Sequence, residues 1–164
     1  MKLQLMGLPD GSHTFDENLT CDVLELSSDR FPGTVALHVV VSKRGNHIYL
    51  TLQSVGDAIL KCDRCLDSFT LPINTDIQAV YTTDQSLLKD QDDEFLRGLP
   101  ATGEIDLSED VRQMLLLQIP MQLICREECR GLCDQCGMNR NTGSCDCNHD
   151  KIDPRWEQLK ALKT

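Results

Sequence analysis

Residues 34–53 read Thr34-Val35-Ala36-Leu37-His38-Val39-Val40-Val41-Ser42, then Lys43-Arg44-Gly45-Asn46, then His47-Ile48-Tyr49-Leu50-Thr51-Leu52-Gln53. Val35, Leu37, Val39 and Val41 share one face at a period of two, and Ile48, Leu50 and Leu52 do the same in the second run. Between the runs, Lys43 to Asn46 supply turn chemistry, with Gly45 and Asn46 suited to positive φ. This pattern predicts a β-hairpin with one buried face.

The extended pattern continues towards Cys62, with Gly56 expected as a bend or bulge. A third run, Phe69 to Tyr81, carries Phe69, Leu71, Ile73 and Ile77 in phase, and Pro72 puts it at an edge or interrupts it. Leu3 and Leu5 alternate with polar neighbours and predict a short strand. Residues 83–104 gather Asp84, Asp90, Asp92, Asp93 and Glu94 with Gly98, Pro100 and Gly103, and read as a long acidic loop. Asp106 and Glu109 form a capping box for a helix whose stripe is Leu107, Val111, Met114 and Leu115. Leu116, Leu117 and Ile119 widen that stripe, so the helix is expected to be buried on more than one side until Pro120 ends it. Asp153 and Pro154 open a C-terminal helix with Trp156, Leu159 and Leu162 on one face, poised to dock on the body or on a partner. The expected class is α+β: a mostly antiparallel sheet with a buried helix over residues 1–120, a cysteine-rich zinc-binding segment over 121–150 and a C-terminal helix over 151–164.

Composition narrows the function. The 164 residues suit one domain, or one with a small appendage, and need no disulfides to fold. Aromatics are 4 % against 40 % apolar residues, so the core must be aliphatic. A net charge of −10 argues against attachment to naked nucleic acid through the overall field, while leaving room for a local basic patch. No apolar stretch is long enough to span a membrane. The apolar run at the N-terminus is too short for a signal peptide, so a reducing cytoplasm is the expected location.

The nine cysteines are the most informative feature. In a reducing compartment, clustered cysteines more often hold metal than form bridges. Eight fall into close pairs: Cys62/Cys65, Cys125/Cys129, Cys133/Cys136 and Cys145/Cys147. Cys133-Asp134-Gln135-Cys136-Gly137 is the best metal knuckle, and Cys145-Asp146-Cys147 can complete a tetrahedral Zn²⁺ site. Cys133, Cys136, Cys145 and Cys147 are therefore the first-choice ligands. Cys125 and Cys129, just upstream, are the second choice. Cys62 and Cys65 are followed by Leu66 where a knuckle favours Gly, so a structural turn with partly buried thiols is the leading reading. A second four-cysteine site with Cys125 and Cys129, or a redox pair, stands beside it. Cys21 reads as a small buried hydrophobe, and His149 as a spare ligand. Arg64, between two thiols, has a planar fork suited to phosphate or carboxylate, or to a local ion pair with Asp63 or Asp67. No phosphate loop or nucleophile elbow is present, and the histidines pair with no nucleophile in sequence, so no catalytic residues and no small-molecule substrate are expected.

These motifs resemble the YceD family of large ribosomal RNA subunit accumulation proteins. Cys62-Asp63-Arg64-Cys65-Leu66 resembles its C-x-R-C-L signature, and Gly103-Glu104-Ile105-Asp106-Leu107 with the helix up to Pro120 its G-x-I-D-L…L-x-x-P segment. Residues 129–147 are similar to the cysteine-rich tail of many members, including Asn139 and Asn141. Ile152-Asp153-Pro154-Arg155 is similar to the C-terminal I-D-P-R-L, with Trp156 in place of Leu. The resemblance implies a non-enzymatic factor for accumulation or processing of large-subunit (23S) rRNA. With the acidic charge, it favours a partner among the large-subunit precursor or its assembly proteins, with rRNA contact secondary. Arg64, Arg155 and Trp156 are the candidate contact residues. A thiol-redox or metal-handling protein is the alternative.

Overall fold

The structure, a computed structural model, describes residues 1–84 and 96–147. The C-terminal helix expected over 151–164, with Arg155 and Trp156, lies outside the described residues, as do His149 and most of the acidic cluster. The described elements are β1 (Lys2–Gln4), β2 (Gly11–Thr20), β3 (Thr34–Arg44), β4 (His47–Lys61), β5 (Ser68–Thr82), β6 (Leu96–Gly98), β7 (Glu104–Asp106) and α1 (Ser108–Leu117). Strands dominate and one short helix accompanies them, an α+β arrangement.

The hairpin forms as read. Arg44 pairs with His47 across a two-residue turn, and Val39 pairs with Leu52. Val35, Leu37, Val39, Val41, Ile48, Leu50 and Leu52 are all buried. Gly56 is neither a bend nor a bulge: β4 keeps its phase through it, burying Ser54, Ala58 and Leu60 on the same face. A Cβ at Gly56 would lie 3.2 Å from Val35 Cγ2, so a close neighbour, not a kink, accounts for the glycine. The polar Ser54 on that face is matched by Thr75, their hydroxyl oxygens 2.5 Å apart.

The sheet is mixed, with strand order β2-β3-β4-β5-β6. The β2/β3 and β3/β4 pairs are antiparallel, while β6 joins β5 in parallel through Val80–Thr82. Beyond those three residues β5 has one hydrogen-bonded neighbour among the described residues, so Pro72 lies where no second strand asks for its N–H. Three strands were not anticipated. β2 is mostly exposed and buries Leu19 as its one fully covered residue. β6 falls in the stretch read as loop, and β7 runs from the end of that stretch to the residue read as the helix cap, pairing with β1 in a separate two-stranded sheet.

Helix α1 buries Val111 and Leu115 in the core shared by Leu3, Leu5, Leu24, Phe31 and the hairpin. It is not buried on more than one side: Leu117 is 76 % exposed, because a ten-residue helix against one layer covers a single stripe. The capping box also fails. Leu107 occupies the cap position, Asp106 Oδ1 accepts the Ser108 N–H at 3.0 Å, and Glu109 instead takes Gln113 Nε2 at 2.8 Å. Arg97 of β6 clamps Asp110 of α1 through both carboxylate oxygens, at 3.0 and 2.9 Å. No helix among the described residues is long and apolar enough to cross a membrane.

The chain forms two compact units. The first is Met1–Leu60 with Ser68–Leu123 and holds the aliphatic core. The second is Lys61–Asp67 with the chain from Ile124 onward. The C-x2-C turn that sequence placed within the sheet region thus belongs to the cysteine-rich unit.

Candidate metal centres

Two turns in the second unit share one backbone design. In the first, Leu66 N–H donates to the Cys62 carbonyl at 2.9 Å, and Cys62 N–H to the Asp67 carbonyl at 2.9 Å. In the second, Gly137 N–H donates to the Cys133 carbonyl at 2.9 Å, and Cys133 N–H to the Met138 carbonyl at 2.8 Å. The residue after the second cysteine is left-handed in both, with φ +63° at Leu66 and +73° at Gly137. The turn therefore curls around the first sulfur and aims amide N–H groups at it. Leu66 adopts the conformation that its side chain disfavours, which is why the absence of a glycine concealed this knuckle.

Each knuckle meets a second cysteine pair. Cys62, Cys65, Cys125 and Cys129 form one group and Cys133, Cys136, Cys145 and Cys147 another, with the four sulfurs of each within 4.8 Å of one another. The first-choice set thus comes together as a unit. Cys62 and Cys65, read mainly as a structural turn, come together with Cys125 and Cys129. In this group Cys62 and Cys129 sulfurs are 3.8 Å apart, and Cys65 and Cys125 3.7 Å. A disulfide is about 2.05 Å long. Four thiolates about 2.3 Å from a central zinc stand about 3.8 Å from one another. The donor set and its spacing fit a tetrahedral metal, and either group could hold one.

The surroundings suit charged sulfur. Burial raises the Cys62 thiol, but amide N–H groups of Cys125, Cys65 and Arg64 outweigh it and bring the value down to about 6. The Cys125 N–H lies 3.4 Å from Cys62 Sγ. For Cys133 the amides of Cys136 and Gln135 dominate, again giving about 6. The companions move the other way. The Asp67 amide lowers Cys65, but burial and the three neighbouring thiols push it up to about 12. Cys136, burial and the other thiols push Cys147 up to about 12. Four sulfurs this close cannot all ionise unless a cation balances them, and this is the electrostatic demand a metal answers.

Asn139 and Asn141, noted in the sequence only as part of the cysteine-rich tail, hydrogen-bond around the first cysteine group. Asn141 Nδ2 lies 3.5 Å from Cys129 Sγ and lowers that thiol, while its Oδ1 accepts the Arg130 N–H at 2.9 Å. Asn139 Nδ2 donates to Asp67 at 2.7 Å and its Oδ1 accepts from Asn141 Nδ2 at 2.9 Å. The signal available was two amides between knuckle cysteines, where metal-bound sulfur needs N–H donors. Arg64 is exposed, and its guanidinium donates to the Cys129 carbonyl at 3.2 Å, while Asp67 is engaged by Asn139. Arg64 therefore braces the first cysteine group from the surface. Cys21 is buried in the first unit, its thiol facing the carbonyls of Phe31 and Gly33. His38 pairs with Asp16 at 2.6 Å on an exposed strand face, away from either cysteine group in sequence and unit.

Known proteins bear on this arrangement. A 25 % identical relative is the uncharacterized protein YlbN of Bacillus subtilis, aligned over 162 residues, 97 % of this chain and 92 % of that protein. An uncharacterized protein of Mycobacterium tuberculosis is 26 % identical over 144 residues, 80 % of this chain and 69 % of its own. The chloroplastic large ribosomal RNA subunit accumulation protein YCED homolog 1 of Arabidopsis thaliana is 36 % identical over 64 residues, 39 % of this chain and 20 % of that protein. No solved structure matches the chain. The family described as large ribosomal RNA subunit accumulation protein YceD matches residues 50–163, from within β4 through both cysteine groups. The chain belongs to the YceD family.

Proposed function

We propose that this protein is a non-enzymatic, cytoplasmic factor of ribosome biogenesis that supports accumulation or processing of 23S rRNA, and that two Zn²⁺ ions hold its second unit together. The observation that carries the reading is the family match over residues 50–163, a stretch that contains two sets of four thiols. Four soft donors suit zinc, and they leave no coordination position for water or substrate, so the metal is a staple and not a Lewis acid. The lowered Cys62 and Cys133 thiols would also serve a thiol-redox or metal-handling protein, the second reading.

Charge argues for action through a protein partner. The chain carries −10, and each zinc tetrathiolate adds +2 and −4, a further −2. Such a field opposes broad contact with naked rRNA, so assembly proteins of the large-subunit precursor are the principal partners and RNA contact is secondary. Arg64, Arg155 and Trp156 are the proposed contact residues. Depleting the protein from cells should lower mature large-subunit rRNA relative to small-subunit rRNA. A normal ratio would overturn the reading in favour of the redox alternative.

A further inference from the structure

The second cysteine group shares its Cys145 with a cleft that the proposed partner contacts leave unused. The cleft, of about 390 Å³, is lined by Arg130, Arg140, Gly143, Ser144 and Cys145. Among the described residues, no carboxylate and no large apolar side chain lines it. Neither guanidinium is in an ion pair among the described residues. The two arginines start from neighbouring backbones. Arg140 N–H donates to the Gly131 carbonyl at 2.9 Å, Arg130 N–H to Asn141 Oδ1 at 2.9 Å, and Leu132 bridges Asn139. The fold of the module thus holds their two backbone positions near one another before any ligand arrives.

We propose that this cleft binds the phosphate backbone of RNA, with Arg130 and Arg140 as a two-armed clamp and the Ser144 hydroxyl as a further donor. The inference rests on the proposed link to large-subunit rRNA and says which surface meets the RNA. Guanidinium forks match phosphate oxygens in a fixed geometry. An acidic protein segment would satisfy the arginines too, but it would also bring side chains needing apolar cover, which Arg, Gly, Ser and Cys do not provide. The neighbouring thiolate group tempers the local positive potential, so the contact works through directed hydrogen bonds at short range. It should be weak and confined to few phosphates.

The test uses the full-length, zinc-loaded chain and a fluorescein-labelled single-stranded RNA oligonucleotide, with anisotropy followed across a salt series. The wild type should bind with a log–log salt slope near −1.4, about −0.7 for each of two phosphates. Arg130→Gln combined with Arg140→Gln should reduce the slope nearly to zero and weaken binding at low salt at least about tenfold, the worth of one charge-assisted hydrogen bond. Ser144→Glu keeps both arginines and adds a repelling charge. It should give the same loss, and it carries the test if the double variant fails to retain zinc. Variants that bind RNA like the wild type would overturn the inference. Wild-type protein that binds no RNA would overturn it too, while leaving the ribosomal reading to stand or fall on the depletion result. Loss of a large-subunit protein from pull-downs of the double variant, with RNA binding intact, would reassign the cleft to an acidic polypeptide.

Discussion

Leu66 shows how a single residue can hide a site. Its φ of +63° is the geometry that Gly137 supplies freely in the matching turn. An L side chain pays about 1–2 kcal/mol for that conformation, and 61 % of the Leu66 surface remains exposed, so little packing compensates. The Cys62 turn holds because the hydrogen bonds to its carbonyl and amide, with the meeting of four sulfurs, over-determine it. Leu66→Gly should relieve the strain, less the extra entropy that glycine loses on folding, about 0.5–1 kcal/mol. The expected result is a net gain of about 0.5–1 kcal/mol, seen as roughly two- to fivefold tighter metal binding in competition with a chelator. Weaker binding in the variant would mean that the leucine side chain contributes a contact that its exposure conceals. Gly131 is constrained differently. With φ +68° it brings its Cα so close to Arg64 that a Cβ would lie 3.0 Å from the Arg64 carbonyl oxygen, and that carbonyl accepts the Leu132 N–H at 3.0 Å.

Among elements, legibility followed burial. The β3–β4 hairpin could be read because every second residue is apolar and every one of those is buried. β2 could not, because Glu17 breaks the in-phase run of Phe15 and Leu19, the two apolar side chains it sets on the core. β6 and β7 are three residues each, below the length at which periodicity carries information. The knuckle at Cys133 was legible through its spacing and its glycine. The meeting of Cys62 with Cys129, 67 positions apart, depends on tertiary folding that no local pattern encodes. The cysteine elements also make a prediction about pH. At pH 7, thiols lowered to about 6 are largely ionised, whereas Cys65 and Cys147, pushed up to about 12, hold their protons. Binding a metal must expel the protons of the raised thiols, so affinity rises with pH. Below about pH 6 Cys62 and Cys133 protonate as well, one more proton is displaced per metal, and affinity falls more steeply. Competition titrations over a pH series should show log affinity against pH steepening by one unit of slope through that region. A constant slope would mean that Cys62 and Cys133 do not titrate in that region. Cys62→Ser and Cys133→Ser should each remove one zinc of two, leaving the other group loaded.

At the scale of the whole molecule, the two units are stabilised by different physics. The first has an aliphatic core that includes Leu5, Leu24, Val39, Val41, Leu50, Leu52, Val111 and Leu115, all almost fully buried, with none of the eight clustered cysteines in it. A core of that kind needs no metal. The described residues of the second unit form no such core. Among the described residues, its buried hydrophobic side chains are Cys62, Cys65, Cys129 and Cys133. Among the described residues, its regular structure beyond the end of β4 is one isolated bridge, Leu132 with Asn139. A metal held by the two sulfur groups would supply what apolar burial does not, and its binding energy would be folding energy there. Removing zinc with a strong chelator under reducing conditions should open the second unit and leave the first folded. Hydrogen exchange followed by mass spectrometry distinguishes the two. Amides of Cys62, Leu66, Leu132, Cys133, Gly137 and Arg140 should lose protection, whereas those of β3, β4 up to Leu60 and α1 should keep theirs. Restored zinc should restore the pattern. Uniform loss across both units would show that the sheet depends on the cysteine module for its stability. Unchanged protection throughout would show that the module folds on hydrogen bonds such as those of Asn139 and Asn141, with the thiols as passengers.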